Sequence, residues 1–117
     1  MARSTPISIY RGEDVPIDFT AYTTDGGATA EDITGWTLEF TVSDVRNSTA
    51  AKLITKACSI TVAASGTFRA SLTDTETDNL QPGTYAWDVW RTDAGFERLL
   101  GEGAFVVKGN SRIPPAA

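Results

Sequence analysis

Residues Leu80 to Val107 limit the possible folds more than any other stretch of the chain. Pro82-Gly83 signals a turn, and strict alternation follows, with Tyr85, Trp87 and Val89 on one face and Ala86, Asp88 and Trp90 on the other. Asp93-Ala94-Gly95 reads as a three-residue hairpin loop leading into a long strand that ends at Val107. Counting back from a Thr92–Phe96 pair sets Val89 opposite Leu99, Trp87 opposite Gly101 and Tyr85 opposite Gly103. Two large rings then face two glycines, a match of volumes. The same register sets Arg91 against Glu97 and Trp90 against Arg98, a charge pair and a cation–π pair. These residues specify a fold and no reaction.

The remaining segments read as further strands. Ile7–Tyr10 is a short first strand, and Val15–Ala21 alternates with Val15, Ile17, Phe19 and Ala21 inward. Pro16 lacks an N–H, which puts it at a strand start or on a sheet edge. Trp36–Val42 is the clearest half-buried strand, with Trp36, Leu38, Phe40 and Val42 inward. In Ala51–Val62, Leu53, Ile54, Ile60 and Val62 compete for the core, and the phase stays open. Ser65-Gly66 turns the chain into Thr67–Leu72, with Phe68, Ala70 and Leu72 inward. Thr73–Asn79 carries capping residues and early acids, the signature of a helical turn. Short strands with a turn signal every eight to twelve residues or so indicate an antiparallel β-sandwich of about seven strands with one short helical turn. Leu80-x-Pro-Gly-x-Tyr85 fits a tyrosine corner, whose phenol bonds back to upstream backbone. Residues 1–6 read as an N-terminal arm, 7–108 as the sandwich and 109–117 as a tail.

A chain of 117 residues suits one domain. Its net charge of −5, with seven arginines and three lysines scattered, disfavours nucleic acid as a partner. No apolar run reaches the ~20 residues of a membrane span, so no membrane partner is expected. A single cysteine, Cys58, excludes an internal disulfide and suits synthesis in a reducing cytoplasm.

The absence of histidine removes the commonest general base and metal ligand together. Glu39, Asp88 and Glu102 lie on faces opposite the inferred core, where solvated acids need no catalytic explanation. Asp74, Glu76 and Asp78 lack the glycine and distal glutamate of a calcium loop, and a capped turn explains them better. Cys58 has no histidine to activate it. No phosphate-binding glycine loop is present, so no cofactor, metal or small-molecule ligand is expected and the chain reads as non-enzymatic. Trp90 stands apart: with Leu100, Ala104 and Val106 it shares an outward hairpin face more apolar than a solvated one, and contiguous apolar surface marks interfaces.

Tyr10-Arg-Gly-Glu-Asp-Val-Pro-Ile-Asp-Phe19, Asp32-Ile-Thr-Gly-Trp-Thr-Leu-Glu-Phe-Thr-Val42, Gly66-Thr-Phe-Arg-Ala-Ser-Leu72, Leu80-x-Pro-Gly-Thr-Tyr85 with Asp88, and Gly103-Ala-Phe-Val-Val107 follow one another in order. Together they resemble the immunoglobulin-like domains of tailed-phage structural proteins, particularly the amino-terminal domain of upper baseplate proteins. The resemblance runs from Tyr10 to Val107. It implies an immunoglobulin-like sandwich acting as a virion component of the head, tail or baseplate, made in the host cytoplasm. Its partners would be other virion proteins and further copies of itself. The expected contact residues are Trp90, Leu100, Ala104 and Val106 on the hairpin, with Ile113, Pro114 and Pro115 in the tail. The alternative is a carbohydrate- or cell-surface-binding module, for which Tyr10, Tyr22 and Trp90 are the candidate aromatics.

Overall fold

The structure, a computed structural model, describes residues 3–4, 6–22, 29–44 and 52–109. The strands are β1 (Arg3–Ser4), β2 (Ile7–Tyr10), β3 (Val15–Thr20), β4 (Leu38–Ser43), β5 (Lys52–Ala57), β6 (Ser59–Val62), β7 (Thr67–Leu72), β8 (Gly83–Arg91) and β9 (Arg98–Lys108). A 3-10 turn, Ala63–Ser65, precedes β7, and the short helix α1, Asp74–Asp78, follows it. The larger sheet has the order β1-β9-β8-β4-β5, with β2 also beside β9; the smaller is β3-β7-β6. Two layers with alternating strands form an immunoglobulin-like sandwich. Two pairings depart from an all-antiparallel plan: β1 and β2 both run parallel to β9. The arm expected over residues 1–6 is therefore tied down at Arg3–Ser4, which pair with Gly101 and Glu102. Of the expected tail only Gly109 is described; Ile113, Pro114 and Pro115 lie outside the described residues.

The inward alternation of the sequence becomes the core. Leu38, Phe40, Val42, Phe68, Ala70, Leu72, Tyr85, Trp87, Phe105 and Val107 are buried, while Phe19 and Trp36 pack against them partly covered. Five rings meet at the centre, with Phe19 centred 5.3 Å from Phe68 and 5.4 Å from Trp87, and Phe40 6.0 Å from Trp87 and 6.2 Å from Phe105. Between β5 and β6 the open phase resolves toward Ile54, which is buried, and Ile60, which is half-buried; Leu53 and Val62 stay exposed. Pro16 lies on β3, an edge strand, where its missing N–H does no harm.

The hairpin register differs from the count made on the sequence. Trp87 faces Gly103, Tyr85 faces Phe105 and Val89 faces Gly101, two residues further along β9 than expected. Half of the shift comes from the loop, since β8 closes with Arg91 opposite Arg98 and leaves Thr92–Glu97 as the connection. The other half is a β-bulge, because the ladder passes from Val89–Gly101 to Trp90–Leu99 and leaves Leu100 unpaired. The ring-on-glycine match survives diagonally: a methyl at Gly101 would sit 3.1 Å from Cη2 of Trp87. The expected Arg91–Glu97 and Trp90–Arg98 pairs do not form; Arg91 Nε bonds Asp93, and Arg98 bonds Glu31.

One end of the sandwich is held by buried polar groups. The Tyr85 phenol donates to the Gln81 carbonyl at 2.7 Å, which is the tyrosine corner. Helix α1 carries a capping box, in which Thr73 Oγ1 accepts from the Glu76 N–H and the Glu76 carboxylate accepts from the Thr73 N–H. Thr77 is wholly buried, and its hydroxyl donates to the Glu13 carbonyl at 2.8 Å and accepts from the Gly12 N–H at 3.0 Å. Arg11, also buried, donates from Nε to the Asp78 carbonyl at 2.9 Å. These bonds fasten the β2–β3 turn to the helix.

Candidate functional site

The outward hairpin face is less continuous than its sequence suggests. Leu100 does not belong to it: the bulge turns this residue inward, and it is 7% exposed within the core cluster. Leu99 takes its place opposite Trp90. Trp90 is exposed, Ala104 is exposed opposite Ala86, and Val106 is half-buried opposite Thr84. Between these apolar ends Asp88 faces Glu102, so a carboxylate pair interrupts the stripe. Glu39 lies beside Trp90 on β4, and Thr41 beside Asp88. Together they line a groove of about 350 Å³ that runs from Ser43 to Glu97.

A second exposed apolar residue lies in the loop of the hairpin. Phe96, not singled out by its sequence context, is 64% exposed, the most exposed large apolar residue among those described. Its position is fixed by cations. The Arg91 guanidinium carbon lies 4.8 Å from the Phe96 ring centre and 4.2 Å from that of Trp36, so it is stacked between two rings. Arg98 approaches Trp36 from 5.3 Å and bonds Glu31. Asp93 ties the two loops together by accepting from the Thr37 N–H and Arg91 Nε, each at 2.9 Å. The Thr37 amide, and then Arg91, hold the Asp93 carboxyl below its ordinary pKa. The Thr92 N–H donates back to the Thr37 carbonyl. Two side chains far apart in the sequence, Trp36 and Phe96, are thus brought together around Arg91, whereas Trp90 and Leu99 lie on the other face of the hairpin. No local sequence pattern carries that information, because it depends on the crossing of two loops.

The alternative constellations fall on separate places. Tyr10 is 48% exposed beside Lys108 at the far end of β9, and Tyr22 lines an opening of about 250 Å³ between the two sheets near Phe19 and Leu100. With Trp90 on the sheet face, the three aromatics make no row for a sugar to stack along. Glu76 is committed to Thr73 and Lys56, and Asp78 to Arg11, so the acids of the helix are caps and clamps. Among the described residues no three metal-ligating side chains come together, and no helix is long and apolar enough to cross a membrane. Burial, and then the charge of Glu39, push the Cys58 thiol up to about 12, leaving it protonated at neutral pH.

No protein-family model matches the sequence, and no curated protein is similar to it in sequence. Solved structures do match the fold. The N-terminal domain of phage TP901-1 ORF48 aligns at 9% identity over 92% of this chain and 99% of that one, with a TM-score of 0.51. The NK cell receptor Nkp44 aligns at 13% identity over 92% of this chain and all of that one, with a TM-score of 0.47. At 9% identity the likeness to the phage domain is one of fold alone.

Proposed function

We propose that this chain is a non-enzymatic attachment module of a tailed-phage virion, docking onto other virion proteins through the loop end of its β8–β9 hairpin. The carrying observation is the pair of exposed aromatics at this end, Trp90 on the sheet face and Phe96 in the loop, with the Arg91 guanidinium stacked over Phe96 and over Trp36. Aromatic and arginine side chains on a rigid support are the usual anchors of protein interfaces. Preorganisation lowers the entropic cost of binding, so the stacking of Arg91 favours docking over casual exposure. The phage assignment draws on the sequence resemblance and on the fold shared with the N-terminal domain of a phage protein. Two carboxylates at this end are spent on structure: Asp93 holds two loops and Glu31 holds Arg98. That distribution suits a binding module better than a hydrolase.

The test is to purify particles from the host that encodes this chain and identify their proteins by mass spectrometry. The chain should be recovered in stoichiometric amount, and the double variant Trp90→Ser, Phe96→Ser should fold normally but fail to be incorporated. Complete particles lacking the wild-type chain would overturn the reading, as would normal incorporation of the variant.

A further inference from the structure

We propose that β5 pairs edge to edge with β5 of a second copy, joining the two large sheets into one across a two-fold axis. Four strand edges have no neighbour among the described residues: the β1–β2 line, β3, β5 and β6. Three of them are blunted. The β1–β2 line is broken between Ser4 and Ile7. β6 is four residues long, with an irregular register between Ile60 and Val62. On β3 the bond from the Ala21 N–H to the Gly66 carbonyl sets the phase, so Pro16, Asp18 and Thr20 turn their backbone groups outward. Pro16 has no N–H to offer there, and a two-fold pairing centred on Asp18 would oppose like charges.

β5 carries none of these obstacles over its outer half. The Cys58 N–H donates to the Leu38 carbonyl at 2.9 Å, so Ile54 and Lys56 turn their backbone groups toward β4. Thr55 and Ala57 turn theirs outward. A bulge lies at the other end, where the ladder passes from Val42–Ile54 to Ser43–Lys52 and leaves Leu53 unpaired and 44% exposed. An antiparallel partner centred on Thr55 places Thr55 against its own copy, Ala57 against Leu53 and Lys56 against Ile54. Threonine pairs are favourable across strands, the exposed Leu53 gains an apolar neighbour, and no like charges are opposed. Lys56 is in any case neutralised by Glu76 at 3.0 Å. The strand is thus complementary to itself in charge and in shape, which selects a second copy over a charged partner. This association is a property of the isolated protein, and does not depend on the virion reading.

Sedimentation equilibrium tests it. The wild-type chain should reach the mass of two chains as concentration rises, and more readily at higher salt, since two bodies of net charge −5 repel and salt screens them. Thr55→Arg sets a charge against itself on the axis and should return the mass to one chain. In a Cys58→Ser background, Thr55→Cys should cross-link two chains on oxidation, whereas Thr61→Cys on β6 should not; this arm stands even if Thr55→Arg folds poorly. A wild-type chain that remains single at millimolar concentration would overturn the proposal. So would a dimer that falls apart as salt rises, or one that Thr55→Arg leaves intact.

Discussion

The two ends of the sandwich are held by opposite means. At the corner end, Arg11, Thr77 and the Tyr85 phenol are buried, and the bonds of Arg11 and Thr77 join segments more than sixty residues apart. At the loop end, Arg91, Asp93 and Arg98 sit half in solvent; the arginines meet rings and carboxylates, and Asp93 binds the Thr37 amide and Arg91. Buried hydrogen bonds are costly to break because the groups left behind find no water. Exposed ion pairs and ring contacts are worth little to stability, since water replaces them. The corner end therefore carries the stability of the fold. The loop end is free to vary its surface without unfolding the domain.

That contrast can be broken at the point both ends share. Trp87→Ala removes the ring that touches Phe19 and Phe40, and should lower stability by about 3–5 kcal/mol. Chemical denaturation should show both ends unfolding together; separate transitions would mean that they are independent units. The corner is tested next. Thr77→Val keeps the volume but strands the Glu13 carbonyl and the Gly12 N–H, and should cost about 2–3 kcal/mol. Tyr85→Phe loses a single bond to the Gln81 carbonyl and should cost about 1 kcal/mol in the same measurement.

At the loop end, Phe96→Ala should change stability by less than about 0.5 kcal/mol, because the ring is mostly exposed already. A larger loss would make this end part of the core. The smallest effect concerns pH. The folded Asp93 carboxyl lies below its ordinary value of 3.8, so its support is fully present above that value and fades as pH falls through the depressed one. Amide exchange at Thr37 should quicken over that acid window while Tyr85 and its neighbours stay protected. Uniform loosening of both ends would remove the distinction.

The alternation of Trp36–Val42 and of Tyr85–Val89 was enough to place the core, because a half-buried strand has one period and one inward phase. The tyrosine corner and the capped helix were equally legible, since each is a local pattern of a few residues. The register was not. A hairpin count assumes one residue opposite one, and the bulge at Leu100 breaks that assumption; Gly101 beside it is a bulge signal, but in the count it serves as space for the Trp87 ring. One missed residue took Leu100 off the outward face and put Leu99 there. The burial of Arg11 was likewise hidden, because its partner is a backbone carbonyl sixty-seven residues away rather than a neighbouring acid. Phe96 reads in the sequence as the first residue of the returning strand, opposite Thr92; it lies in the connection instead, where Arg91 stacks over its ring and that of Trp36.

The ring contact between Phe19 and Trp87 has a further consequence. In antibody-type domains the position two residues after the corner tyrosine carries a cysteine, bridged across the sheets and covered by a tryptophan. Here that position is Trp87; its cross-sheet neighbour is Phe19 and its cover is Phe40. Stacked rings stand where a covalent bond would be. Such a core needs no oxidant or disulfide isomerase to close, and no reductant can undo it. The core closes by packing alone once β9 has paired with β8.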